Sequence, residues 1–264
     1  MDGILTPVLA VSVIGLACAV ILSIASKVMA VKVDERFGVV RECLPGANCG
    51  ACGFAGCDAY AQALIDGVTD KTNLCIPGGA ASAEGISEAL GLKFGATEAK
   101  VAQVMCHGCL QNTSDKMEYL GPQTCAASKQ FFSGRGSCSW GCMGFGDCAL
   151  ACPYGAIDIV DQLAHINRDL CIGCGICVRT CPAHIIEVVP VSAKVFVACS
   201  SHDKGAVTKK VCKTGCIACR KCEKTCPHGA ITVADNLAYI DPEKCTSCGA
   251  CVEVCPVNAI LTHE

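Results

Sequence analysis

The chain has 264 residues, and 27 of them are cysteine against seven Phe, four Tyr and one Trp. So few aromatics exclude an ordinary enzyme core, and an odd cysteine count in CxxC-type spacings without a secretory signal excludes an extracellular disulfide scaffold, so metal is the expected source of stability. The formal charge of −3 counts every thiol as neutral; thiolate-bound iron–sulfur clusters would make the folded chain more acidic still, and a nucleic-acid partner is not indicated.

Residues 1–30 stand apart. No residue from Gly3 to Ser26 is charged, and the run ILTPVLAVSVIGLACAVILSIAS has about the length of a membrane-crossing helix. Asp2 is the only charge ahead of it, which argues against a secretory signal, and Leu16-Ala17-Cys18 lacks the small residue that a lipoprotein cleavage box places two before its cysteine. Lys27, Lys32 and Arg36 follow the run. The expectation is therefore a single-pass anchor in the inner (cytoplasmic) membrane, touching lipid, with the rest of the chain in the cytoplasm.

Residues 31–80 carry LPGANCGACGFAGCDAYAQALIDGV and end near Cys75-Ile-Pro, which reads as a loop-and-helix module. Its Cys49, Cys52, Cys57 and Cys75 make a four-thiolate site, with Gly50, Gly53 and Gly56 letting the backbone turn N–H groups toward cluster sulfurs. Zinc is the alternative for any four-cysteine site, and the company of ferredoxin-type runs favours a [4Fe–4S] cluster. Residues 81–137 predict a helix around Ile86–Leu90, a strand at Val101–Met105, and loosely spaced Cys106, Cys109 and Cys125.

The two remaining segments, 138–199 and 200–264, are copies of one another. Residues 152–186 superimpose without a gap on 226–260 at an offset of 74, with 17 of 35 positions identical. Each copy holds a CxxCxxCxxxCP-type run, two short strands, predicted to begin at Ala156–Val160 and Ala230–Ala234, and a second such run. That is the pattern of a two-cluster bacterial ferredoxin, in which three thiolates hold one cube and the cysteine before proline reaches the other. The fold class expected is thus α+β: a membrane helix, a small four-cysteine module and tandem ferredoxin-like domains.

By that crossing rule Cys216, Cys219, Cys222 and Cys255 form one site and Cys226, Cys245, Cys248 and Cys251 another. In the first copy Cys152, Cys171, Cys174 and Cys177 form an equally regular site. Its partner is irregular, because Phe145 stands where the second copy has Cys219, leaving Cys142, Cys148 and Cys181 with Cys138 as the nearest fourth ligand; a three-iron cluster or an empty site is the alternative. A sixth cluster is expected at Cys106, Cys125, Cys199 and Cys212, with Cys109 as substitute for any of them and a group of buried thiols as the alternative. Cys18 and Cys43 fall outside the spacing.

No GxGxxG follows a strand, so no nicotinamide or dissociable flavin site is expected. Lys93–Thr97 only faintly resembles a covalent-flavin threonine motif. His107, His184 and His228 lie near ligands as hydrogen-bond donors, and the basic stretch of Lys204, Lys209, Lys210, Lys213, Arg220, Lys221 and Lys224 is either a solvated face or a dock for an acidic electron carrier.

The apolar N-terminal run, the LPGANCGACGFAGCDAYA module, the CSWGCMGFGDCALACP run and the tandem repeats together resemble the B-subunit family of the Rnf complex, the membrane-bound, ion-translocating ferredoxin:NAD oxidoreductase. The resemblance implies an iron–sulfur component of a redox-driven translocase that takes electrons from soluble ferredoxin and relays them through [4Fe–4S] clusters to other Rnf subunits, which carry the flavins, the NAD site and the ion path. Another class of function, a membrane-anchored polyferredoxin serving a hydrogenase or formate dehydrogenase, would use the same ferredoxin runs without the N-terminal module. Family members with one ferredoxin-like unit are shorter; this chain has two.

Overall fold

The computed structural model describes residues 2–28, 34–95 and 98–263. Helix α1 (Asp2–Val28) opens the chain. The expected membrane-crossing helix is not borne out: among the described residues no helix is long and apolar enough to cross a membrane. Lys32, one of the charges behind the expected orientation, lies outside the described residues, as do Ala96 and Thr97 of the flavin-like motif.

The four-cysteine module is built on α2 (Glu35–Glu42), α3 (Cys57–Ile65) and α4 (Gly79–Leu90). Asp34 caps α2, its carboxylate accepting the Arg36 N–H at 2.9 Å. The three helices bury Val40, Tyr60, Leu64 and Ile86 together with the thiols of Cys57 and Cys75. Tyr60 anchors the core, its ring stacked on Phe54 at 5.3 Å and its hydroxyl donating to the Lys71 carbonyl at 2.6 Å.

Next come β1 (Lys100–Val104), α5 (Cys125–Gln130), α6 (Asp147–Leu150), β2 (Ile157–Val160), β3 (Leu163–Ile166), α7 (Ile176–Thr180) and β4 (Ile186–Pro190). They are followed by β5 (Val195–Val197), α8 (Gly205–Val211), α9 (Lys221–Thr225), β6 (Ile231–Ala234), β7 (Leu237–Ile240), α10 (Ala250–Glu253) and β8 (Ile260–Thr262). All strand pairs are antiparallel and two-stranded. The β2–β3 and β6–β7 hairpins turn through Asp161-Gln162 and Asp235-Asn236, all four with positive φ, as a tight two-residue hairpin turn requires.

The last strand of each repeat pairs with a strand from outside the repeated sequence. Val104 faces Ile186 on β1–β4, and Val197 faces Ile260 on β5–β8. One residue further on, the Met105 N–H donates to Ile185 at 2.7 Å and the Ala198 N–H to Ala259 at 2.8 Å. Because Ile185 and Ile186 correspond to Ala259 and Ile260 at the repeat offset, β1 and β5 occupy equivalent places in the two units without any alignable sequence. Each unit closes on small apolar side chains and thiols: Ile157, Leu163, Ile185 and Cys177 in the first, Ile231, Ala238, Ile260 and Cys251 in the second.

Candidate metal centres

Every cysteine in the chain is a free thiol. Among the described residues no three His, Cys, Asp or Glu side chains are close enough to hold a single metal ion. The cysteines instead line cavities. One is bordered by Cys216, Cys219, Cys222 and Cys255, and another by Cys226, Cys245, Cys248 and Cys251. These are the two groups the spacing brings together. Ala218 and Arg220 in the left-handed region curl the first loop around its cavity. Backbone N–H groups then point at sulfur: Ala259 donates to Cys255 Sγ at 3.2 Å, Ala230 to Cys226 Sγ at 3.4 Å and Ser247 to Cys245 Sγ at 3.4 Å.

Burial pushes the thiols of Cys222 and Cys251 up to about 11, and the other cysteines of each group raise them further. A thiol so placed ionises beside its neighbours only if positive charge arrives with it, and this is what an iron–sulfur core supplies. The donor set, the cavities and the aimed N–H groups all fit a [4Fe–4S] cluster.

In the first unit, burial raises Cys174 and also Cys177, the latter to about 11, with Cys171 and Cys152 adding to both. The edge of β1 reaches this group, the Ala102 N–H donating to Cys171 Sγ at 3.3 Å. In the N-terminal module, burial pushes Cys75 up to about 11, and Cys57, Cys52 and Cys49 raise it further. The Asn48 side-chain oxygen accepts the Cys57 N–H at 2.9 Å, fixing the start of α3. Arg179 of α7 donates to the Cys49 carbonyl at 2.6 Å, which seats this module on the first ferredoxin unit.

The irregular site differs from the expectation. The cavity lined by Cys142, Cys148 and Cys181 takes its fourth cysteine from Cys125 at the start of α5. Asp147, the first residue of α6, accepts the N–H groups of Cys125 at 2.9 Å and Ala126 at 3.0 Å, so α5 is tied to the helix that carries Cys148. Phe145 turns its ring instead to Arg135, 4.6 Å from the guanidinium carbon, and to Tyr119 at 5.7 Å.

Cys138 lines a different cavity, with Cys106, Cys199 and Cys212. Three of the four residues expected at the sixth site are therefore together, and Cys138 stands where Cys125 was expected. Cys109 is not among the lining residues; its thiol donates to Gln111 Oε1 at 3.0 Å. The signal that pairs Cys138 with Cys212 is in the sequence, since the two lie one repeat offset apart. Cys43 donates to the Val39 carbonyl at 3.3 Å, and Cys18 is exposed on α1.

Three stretches match known families: residues 44–77 a putative Fe-S cluster family, 163–186 a 4Fe-4S binding domain and 215–259 a 4Fe-4S dicluster domain. Over 261 residues the chain is 41% identical to the B component of the Na(+)-translocating ferredoxin:NAD(+) oxidoreductase complex of Acetobacterium woodii, covering 98% of this chain and 78% of the relative. It is 42% identical over 248 residues to the B component of the proton-translocating ferredoxin:NAD(+) oxidoreductase complex of Clostridium ljungdahlii, covering 94% and 87%. It is 41% identical over 235 residues to the B component of the ion-translocating oxidoreductase complex of Methanosarcina acetivorans, covering 89% of each. The chain belongs to the Rnf B-subunit family. Members of this family are iron–sulfur subunits of an oxidoreductase complex, and the [4Fe–4S] character of this one agrees with its thiol groups. The three matched stretches leave out Cys106, Cys125, Cys138, Cys199 and Cys212.

Proposed function

We propose that the chain is the electron relay between reduced ferredoxin and the other subunits of an ion-translocating ferredoxin:NAD oxidoreductase complex at a membrane. The observation that carries the reading is the succession of cysteine groups from Cys49 to Cys255, linked by the Arg179 bond to the Cys49 carbonyl, by Cys142 lining two cavities and by the Cys216 N–H on Cys199 Sγ. A [4Fe–4S] cluster supplies one-electron redox chemistry in which no covalent bond of the protein is made or broken. The protein's part is to hold four thiolates per site, exclude water by burial and tune each site through N–H donors to sulfur.

Cys49, Cys52, Cys57 and Cys75 hold the N-terminal site; Cys152, Cys171, Cys174 and Cys177 the regular site of the first unit; Cys125, Cys142, Cys148 and Cys181 its partner. The C-terminal unit holds the two sites at Cys216, Cys219, Cys222, Cys255 and at Cys226, Cys245, Cys248, Cys251. The boundaries at 31–80, 138–199 and 200–264 go with these groups, except that β1 and α5 of the intervening segment serve the first unit, and β5 with Cys199, at the end of 138–199, serves the C-terminal unit.

Electrons arrive at the C-terminal unit. Outside α1, the exposed cysteines are Cys219 and Cys248, both in that unit. Arg220, Lys221 and Lys224 are exposed beside Cys219, and Lys209 and Lys210 are exposed in the last turn of α8. An acidic carrier such as ferredoxin suits that surface. The test is anaerobic mixing of the full chain with reduced ferredoxin, followed by the bleaching of its visible cluster absorbance. Rapid bleaching that slows as salt is added is expected; no electron uptake from ferredoxin would overturn the reading.

A further inference from the structure

The cavity between the two ferredoxin units has a symmetry that neither the family matches nor the repeat alignment contains. Cys106 follows β1 by two residues and Cys199 follows β5 by two, and β1 and β5 pair equivalently with β4 and β8. Cys106 Sγ accepts the Gly108 N–H at 3.4 Å, and Cys199 Sγ accepts the Ser201 N–H at 3.5 Å, the same bond two residues on. The Cys142 main chain lies against Cys106, as the Cys216 main chain, whose N–H donates to Cys199 Sγ at 3.3 Å, lies against Cys199, and Cys142 and Cys216 are one repeat offset apart. Cys138 and Cys212 are separated by the same offset. The cavity is therefore lined by two equivalent pairs, Cys106 with Cys138 and Cys199 with Cys212, one pair from each unit.

Two further features point to an occupant. His107 lines the cavity, and its Nδ1 is buried without a hydrogen-bond partner. Gly141 brings the main chain between two of the sulfurs, since a Cβ there would lie 3.7 Å from Cys138 Sγ and 3.8 Å from Cys106 Sγ. A buried, unpartnered ring nitrogen at a cavity lined by four cysteines is suited to a sulfide-bearing anionic core.

We propose that Cys106, Cys138, Cys199 and Cys212 hold a [4Fe–4S] cluster between the ferredoxin units, bridging them electrically, a proposal that rests on the relay reading above. The site touches both neighbours: Cys142 lines the same cavity, and the Cys216 N–H donates to Cys199 Sγ at 3.3 Å. For each electron that crosses, the site at Cys216 is oxidised by one electron and the site at Cys142 is reduced by one, so the bridge returns to its starting state and no co-reactant is consumed. Ligands drawn equally from both units also explain why no ferredoxin run contains this site.

Iron, acid-labile sulfide and zinc are measured in the anaerobically purified full chain and its alanine variants, with electron paramagnetic resonance of the reduced protein. The intact chain should hold about 24 irons, and C138A and C199A should each lose about four. The paired variant C138A/C199A should lose no more than either alone, whereas C138A/C148A should lose about eight, because those residues serve different sites. C109A should lose none. The proposal is overturned if C138A/C148A loses only about four while C138A/C199A loses about eight, or if one zinc replaces the missing iron. Should the paired variants fail to accumulate, an intact chain with about 20 irons overturns it alone. In that event the five other sites still stand and electrons would have to cross between the units by another way, whereas a chain without iron at the family-matched sites sinks both.

Discussion

The two ferredoxin units share a backbone plan but complete their cysteine-lined cavities differently. The C-terminal unit lines its two cysteine cavities with eight cysteines from its own runs. The first unit has Phe145 in place of the cysteine corresponding to Cys219, and the cavity is closed by Cys125 from the preceding segment. The difference shows that a missing ligand can be replaced from a distant stretch if a local tie positions the replacement. Here the tie is Asp147, whose carboxylate holds the N–H groups of Cys125 and Ala126. The borrowed ligand also makes the first unit dependent on residues before it, whereas the C-terminal unit is closer to self-contained.

The strongest way to break this comparison is to remove the borrowed cysteine. C125A should lose about four irons, and adding F145C in the same chain, which gives the first unit the pattern of the second, should restore them. Full iron content in C125A would return Cys138 to that site. Next in size is the effect of cutting the bridge. In C199A/C212A, electrons taken rapidly from ferredoxin should fall from about six per chain to about two, the capacity of the C-terminal pair. Uptake of the full number at an unchanged rate would mean that electrons cross between the units by another way.

A smaller effect sharpens the contrast between the exposed and the enclosed unit. Reversing Lys209 and Lys210 to Glu should slow reduction by ferredoxin about three- to tenfold at low salt and flatten the salt dependence, because exposed charges act mainly on association. Reduction by a small neutral donor should stay unchanged. Unaltered ferredoxin kinetics would move the docking surface elsewhere.

The smallest effect concerns packing. Gly173 corresponds to Ser247 in the second unit, and both have positive φ. A Cβ at Gly173 would lie 2.5 Å from the Lys100 carbonyl oxygen of β1, so G173S should destabilise the first unit by about 1–3 kcal/mol and lower the temperature at which its cluster absorbance bleaches. An unchanged bleaching temperature would show that β1 yields at no cost.

How legible these features are in the sequence follows from how local they are. The hairpins, the short helices after each loop and the C-terminal cysteine groups are set by contacts within one run, so spacing alone reveals them. Cys125 and Cys138 are different. The place of Cys125 depends on Asp147 reaching α5, and the company Cys138 keeps depends on the pairing of β1 with β4, which places Cys106; neither is visible in periodicity. The equal offset of Cys138 and Cys212 is the available clue, and it is meaningful only once β1 and β5 are seen to be equivalent. For α1, uncharged composition suggests a membrane span, but the described residues contain no helix long and apolar enough for one.

The central claim is that the chain is one continuous relay, and electron counting on rapid mixing tests it most directly. The anaerobic, iron-loaded full chain is mixed with an excess of reduced ferredoxin, and the electrons taken up per chain are followed in time. Uptake of about six electrons in a connected kinetic course, with the C-terminal pair reduced first, is the predicted result. Rapid uptake that stops at about two electrons, with the remaining clusters present but unreduced, would contradict it.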